Sequence, residues 1–380
     1  MPAEWISITA GGDSQRGYLA IPEEGHGPGL VLLDDSLRRE VAGLYAEEGY
    51  AVLHPASLDP AHLDSNAAAV VATLRARREC TGKLGVLGFG RSGRIACRIA
   101  AEGGADAAIL YGGDAIAEAA GLAPRIVCPL VLHVAEADPA ARPAAIDRVR
   151  VAFAGRPETA IHVYPGAVPG FAQKGGAHYD RAAAGLAHSR SIALLRRAIG
   201  PHYDLEALWE AHIRYEFVTR DVAATMATMV ADPYVNHIPV MTGGVGAKDL
   251  ARFYANHFIP KCPKDIKMVP ISRTVGADRV VDEMLTSFTH DVEIDWMLPG
   301  VPPTGRHVEV AIVAIVGFRG GRLYHEHIYW DQASVLAQIG LIDPEGLPVA
   351  GAEAAHKLAD ETRPSNTLMR RWADSAPTNG

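Results

Sequence analysis

Near its C-terminal end the chain carries the run Arg322-Leu-Tyr-His-Glu-His-Ile-Tyr-Trp-Asp331, which reads as a strand. Side chains alternate faces along a strand, so Leu323, His325, His327, Tyr329 and Asp331 fall on one side. Two imidazoles and a carboxylate on one apolar surface form a set suited to proton transfer near neutral pH, where histidine titrates and a nearby carboxylate tunes it. Neighbouring extended segments add His290 and Asp295, Asp282 and Glu283 on opposite faces, and His307 with Glu309 on one face. A metal held by His325, His327 and His290 is the rival use of these imidazoles. Their strand spacing matches no metal signature, so no metal and no other cofactor is expected. His237 is expected at a pocket mouth, with Tyr215, Phe217, Trp296, Tyr329 and Trp330 as walls.

The elements that must position these groups fall into two sets. Over residues 5–199 short apolar runs alternate with longer amphipathic ones. Strands such as Leu130-Val-Leu-His-Val134 are apolar throughout, which places them in a parallel sheet covered on both faces by helices. The pattern breaks at Gly200-Pro-His-Tyr-Asp204. Beyond it a helix is expected from 205 to about 229, with Leu208, Ile213, Phe217 and Val222 on its apolar side, and a second over 247–258. His237 lies between them. Long extended segments follow at 266–275, 279–289, 308–318 and 322–330, so the second part is α+β with a curved, mostly antiparallel sheet. The domains are thus 1–200 and 205–342, with a tail of little pattern over 343–380.

Composition limits the partners. The 380 residues are 48% hydrophobic and 21% charged with a net charge of −8, which excludes disordered, collagen-like and coiled-coil chains. No basic stripe with interleaved aromatics marks nucleic acid as a partner. Cys80, Cys97, Cys128 and Cys262 are scattered, without zinc or disulfide spacing, as in a reducing compartment. With no signal-peptide pattern and no long apolar run, a cytoplasmic protein without membrane contact is expected.

A second candidate site lies in the first half. The run from Leu84 to Ala96 has the strand, sharp turn and helix order of a nucleophile elbow. With it the chain resembles the dienelactone hydrolase branch of the α/β-hydrolases over nearly all of 1–198. That family's elbow is Gly-x-Cys-x-Gly-Gly; here Gly88-Phe89-Gly90-Arg91-Ser92-Gly93 places Gly90 at the nucleophile. The family's Tyr-x-Gly-Ala-x-His-x-Phe stretch corresponds to Tyr164-Pro-Gly-Ala-Val-Pro-Gly-Phe171, with Pro169 at the base. Asp138 falls where the resemblance puts the triad acid, and Asp35 near an acidic residue after the third strand. An acid alone cannot carry out acyl transfer. A rebuilt pair of Ser92 and His178 is one alternative; the plainer reading makes Ser92 a helix-cap hydroxyl and His178 a surface residue. Backbone N–H groups at the helix start, with Arg91 and Arg94, could bind an anionic group, and the plainer reading makes the two arginines solvated surface.

The second half resembles the SnoaL-type polyketide cyclases of the nuclear transport factor 2-like superfamily over about 205–342. The resemblance rests on Gly321-Arg-Leu, Trp330-Asp331 and Leu336-Ala-Gln338-Ile-Gly340, and it implies that Asp331 is the acid/base residue, with His327 or His325 polarising a carbonyl or orienting Asp331. The implied function is cyclisation, isomerisation or hydration and dehydration of a hydrophobic, carbonyl-containing small molecule. Two rivals stand beside it: an ester or lactone hydrolase with a rebuilt site in the first domain, and a non-catalytic small-molecule binding protein. A homodimer is expected from the superfamily and from the strand 308–318, apolar on both faces.

Overall fold

The computed structural model describes residues 2–10, 13–34, 38–56 and 63–375; Asp35 lies outside them. The chain divides into two compact units, Met1–Tyr203 and Asp204–Gly380. Among the described residues no helix is long and apolar enough to cross a membrane.

In the first unit β1 (Ala3–Ala10) and β2 (Asp13–Ala20) form a hairpin. Then come β3 (Gly27–Leu33), α1 (Arg39–Glu47), β4 (Ala51–Pro55), α2 (Leu63–Arg75), β5 (Cys80–Phe89), α3 (Ser92–Ala101), β6 (Ala107–Tyr111), α4 (Asp114–Leu122), β7 (Leu130–Ala135), α5 (Pro143–Ala152), β8 (Thr159–Tyr164) and α6 (Arg181–Ile199). The strand order is β1-β2-β4-β3-β5-β6-β7-β8. The pairs from β4 to β8 are all parallel, and the hairpin joins antiparallel at β4. Every residue of β3 and of β7 is buried, as strands with helices over both faces require. This is an α/β hydrolase-type domain.

The second unit opens with α7 (Leu205–Ile213), which widens into a π-turn over Arg214–Thr219 and stops at Arg220, a left-handed residue with φ 53°. The helix expected to about 229 is thus broken. Its remainder is α8 (Val222–Ala227), and β9 (Met229–His237) follows, so His237 lies between helices as expected and is the last residue of a strand there. After β10 (Thr242–Val245), α9 (Ala247–Phe253) widens into a second π-turn over Tyr254–Phe258. The long strands are β11 (Lys267–Val275), β12 (Arg279–Thr289), β13 (His307–Arg319) and β14 (Arg322–Trp330), followed by α10 (Gln332–Gln338) and α11 (Glu353–Ala359).

The sheet order is β10-β9-β14-β13-β12-β11, antiparallel except for β9 with β14. Burial alternates residue by residue along β12 and β13, so this sheet has one inner face, built from Val280, Met284 and Phe288 with Val308, Val310, Ile312 and Val316. The segment read as a patternless tail contributes to the fold. Ala355 of α11 is fully buried, and His356 Nε2 lies 2.5 Å from Glu309 Oε2 on β13.

Candidate active site

The inner face of β14 is not the one that simple alternation gives. Gly317 of β13 pairs with His325, but the next residue, Phe318, pairs with Leu323, so Tyr324 is an extra residue on β14. A bulge of one residue reverses every later side chain. Glu326 and Trp330 are consequently buried and Ile328 lines the pocket, while His325, His327 and Tyr329 face outward. The two rings, His325 and His327, stand 4.9 Å apart, and His327 meets Tyr234 at 5.4 Å. Burial first, then the neighbouring His327, lowers His325 to about 4. Asp331 is the N-cap of α10: its carboxylate accepts from the Ala333 and Ser334 amides at 3.0 and 3.3 Å and from Ser334 Oγ at 2.6 Å. The expected catalytic set His325, His327 and Asp331 therefore does not gather in the pocket.

The pocket lies between the inner face and the helices, and its atom-free space, open solvent at the mouth included, is about 560 Å³. Its walls include Ile213, Phe217, Phe258, Met268, Met284, Ile312 and Trp296, and among the described residues no lysine or arginine lines it. At one end Glu216 and Glu326 meet around His212. The His212 Nε2 atom is 3.1 Å from Glu216 Oε1 and 3.2 Å from Glu326 Oε1, and all three residues are buried. On the far side of the ring, Nδ1 lies 2.6 Å from Thr228 Oγ1, whose own proton goes to the Thr225 carbonyl at 2.6 Å. Thr228 can then only accept, so Nδ1 carries a proton and Nε2 is the nitrogen turned to the carboxyls.

Burial alone would depress His212, but the two glutamates outweigh it and lift the imidazole to about 10. Desolvation conversely raises Glu216 above the usual carboxylate range, with His212 opposing. Tyr254 Oη lies beside both carboxyls, is fully buried and makes no well-formed hydrogen bond among the described residues; desolvation, reinforced by Glu216 and Glu326, drives its pKa well above the ordinary phenol value. Thr286 Oγ1 is a second buried hydroxyl on the pocket wall without a partner among them. His237 also lines the pocket; burial holds it near 4, and its Nδ1 donates to the Thr242 carbonyl at 3.2 Å, leaving Nε2 unprotonated.

Local sequence explains why these groups converge. Leu205, Trp209, His212 and Glu216 are spaced by four, three and four, the stripe a helix buries. Sequence reasoning followed Leu208, Ile213 and Phe217 and missed the two polar members of that stripe, though their position four apart on a buried face was a usable signal. Each π-turn delivers one polar group, Glu216 from the first and Tyr254 from the second, in keeping with the frequency of such turns at functional sites.

Of the expected pocket residues, His237 and Trp296 line it, whereas Tyr215, Tyr329 and His290 do not. His290 is buried elsewhere, with Nδ1 3.1 Å from Thr304 Oγ1, and Tyr329 is 39% exposed. Asp282 faces inward but is occupied by the Arg273 guanidinium at 2.9 and 3.1 Å and by the Trp209 indole N–H at 2.9 Å. Among the described residues, one group of three histidine, cysteine or acidic side chains could hold a metal ion, namely His212, Glu216 and Glu326, whose donor atoms lie within 4.8 Å of one another.

In the first unit the turn between β5 and α3 carries Gly90 at φ 53°, its amide donating to the Tyr111 carbonyl at 2.7 Å. A Cβ built there meets nothing within 4 Å. Ser92 is buried in the first turn of α3, and His178 is exposed in the loop before α6. Asp138 accepts from the Gly113 and Ala140 amides at 2.8 and 2.9 Å. Pro169 is exposed in a loop that Ala167 ties to Ala137 through a 3.1 Å backbone bond. A Ser–His contact does exist deeper in the sheet. His133 Nε2 lies 3.0 Å from Ser191 Oγ, but both are fully buried, and Ser191 donates its proton to the Ala187 carbonyl.

The dienelactone hydrolase family model matches residues 30–199, and the SnoaL-like domain model matches residues 209–326. The fold and the two sites thus define an α/β hydrolase-type domain joined to a SnoaL-like domain. A protein of Azospirillum brasilense named "Putative carboxymethylenebutenolidase" is 30% identical over 230 residues, covering 51% of this chain and 99% of that one. The chain belongs to the dienelactone hydrolase family. Among solved structures it is similar to a dienelactone hydrolase from Anabaena variabilis, at 18% identity and TM-score 0.43 over 52% of this chain and 99% of that one. It is also similar to an esterase from Pyrococcus furiosus, at 15% identity and TM-score 0.42 over 52% and 91%.

Proposed function

We propose that this chain is a small-molecule enzyme whose chemistry is proton transfer in the SnoaL-like pocket, acting on an apolar, carbonyl-containing molecule by isomerisation, cyclisation or hydration and dehydration. One observation carries the reading: in an otherwise apolar pocket, Glu216, Glu326 and the Tyr254 hydroxyl converge at one end with His212 behind them. Glu326 removes a proton next to the carbonyl. The Tyr254 O–H, without a good partner of its own, donates to the carbonyl oxygen as charge develops there. His212 positions the two carboxyls and offsets their charge, so that both stay in a site shielded from water.

The first domain is assigned no triad hydrolysis. Gly90 offers no nucleophilic atom, Pro169 offers no base, and Asp138 is taken up by backbone amides. Burial of Ser92 and exposure of His178 weigh against a rebuilt pair. The test is proton NMR of cyclic ketones, enol lactones and β-keto esters in D2O. Enzyme-dependent deuterium incorporation beside the carbonyl supports the reading. Ligands that bind without exchange or turnover make the pocket a binding module instead.

A further inference from the structure

We propose that His212, Glu216 and Glu326 form a binding site for one divalent transition-metal ion, entered from the pocket. The proposal goes beyond the catalytic reading, since it concerns what the cluster binds and not what it turns over. Three features of the cluster carry it.

The first is donor spacing. The His212 nitrogen stands 3.1 and 3.2 Å from one oxygen of each glutamate, and the three donors lie within 4.8 Å of one another. Adjacent ligands of an octahedral ion with bonds of about 2.1 Å are separated by about 3.0 Å, so a small shift seats an ion on three contiguous positions. The remaining positions face the pocket that Glu216 and Glu326 line.

The second is the support behind the histidine. Thr228 cannot donate to the ring, because its proton is committed to the Thr225 carbonyl, and it therefore fixes the proton on Nδ1. Nε2 is thereby aimed at the carboxyls as the ligand atom, the arrangement that orients most metal-binding histidines.

The third is the fully buried Tyr254 hydroxyl, a polar group beside Glu216 and Glu326 at the cluster that forms no well-made hydrogen bond among the described residues. Charge agrees once the ion replaces the Nε2 proton of His212, which leaves to solvent: two carboxylates, the imidazole so made neutral and one dication sum to zero, with no lysine or arginine among the described wall residues. One imidazole with two carboxylates suits a borderline ion such as Zn²⁺, Mn²⁺ or Fe²⁺.

The test is calorimetric titration of the full chain, stripped with chelator, with Zn²⁺ and separately with Mn²⁺. One saturable site per chain for at least one ion is expected, weakened at least tenfold by Glu216→Gln and by Glu326→Gln. Thr228→Val, which keeps all three ligands, should weaken it about tenfold by freeing the ring. Thermal melts show whether each variant is folded, and the unmutated chain should gain more thermal stability from the ion than any variant does. No saturable site for either ion, or affinity unchanged in both folded glutamine variants, overturns the proposal. Loss of ion binding with deuterium exchange intact, or the reverse, separates its fate from that of the catalytic reading.

Discussion

Tyr254→Phe should make this protein more stable and less active. A buried hydroxyl with no partner costs about 1–3 kcal/mol of desolvation, and removing it recovers that amount less whatever the nearby carboxyls return. Two carboxyls lie beside Tyr254 Oη without forming a good hydrogen bond, so the net gain is set at about 1 kcal/mol. For a unit of this size that is a rise in melting temperature of about 2–4 °C. The buried Trp209, Trp296 and Trp330 report on the second unit, so urea unfolding followed by tryptophan fluorescence is a suitable assay. On a substrate found by the deuterium screen, turnover should fall about 10²- to 10³-fold, the usual loss for one donor to a developing oxyanion. A variant destabilised by more than about 1 kcal/mol would show that the hydroxyl is already satisfied in the folded chain, refuting its assignment as a donor held for ligand.

Three further outcomes follow from the same geometry. Asp331→Ala removes an N-cap that accepts from two amides and a hydroxyl, so it should cost about 1 kcal/mol in denaturant unfolding and leave turnover within threefold. Burial holds His237 near 4, so the unfolded chain takes up this proton first as pH falls; the associated stability is intact above about 6.5 and is lost on the way down to pH 4. Between pH 7 and pH 5 that loss is about 2 kcal/mol, and His237→Gln should remove it from the difference in urea stability between the two pH values. Gly90→Cys places a side chain in open space at a backbone strain of about 1–2 kcal/mol, so the variant should fold and gain one thiol that reacts with iodoacetamide; no added labelling would show a closed turn.

The first domain was legible because its strands are apolar throughout, a pattern that few arrangements other than a covered parallel sheet accept. Gly90 and Pro169 could be placed by motif alone, since turns and caps are local. The second pocket was legible in its location, a polar group on the last strand of an otherwise apolar sheet, but the strand turns Glu326 rather than His325 and His327 to its inner face. Strand alternation is a count of two, so the single extra residue at Tyr324 exchanged Glu326 for His325 and His327, and nothing in the local composition announces a bulge. His212 and Glu216 were visible as polar members of a buried helical stripe but were passed over for apolar neighbours on the same helix. Tyr254 depends on a π-turn, which follows from packing more than from sequence. Asp331 is an acid whose position in a motif suggests chemistry and whose side chain caps a helix.

The most direct measurement of the central claim compares turnover in four single variants on one substrate: Glu326→Gln, His325→Ala, His327→Ala and Asp331→Asn. The inner face of β14 does the chemistry if Glu326→Gln alone loses at least a hundredfold while the other three stay within threefold of the unmutated chain. Activity retained in Glu326→Gln and lost in His325→Ala, His327→Ala or Asp331→Asn would contradict the account and return the chemistry to the outer face of the strand.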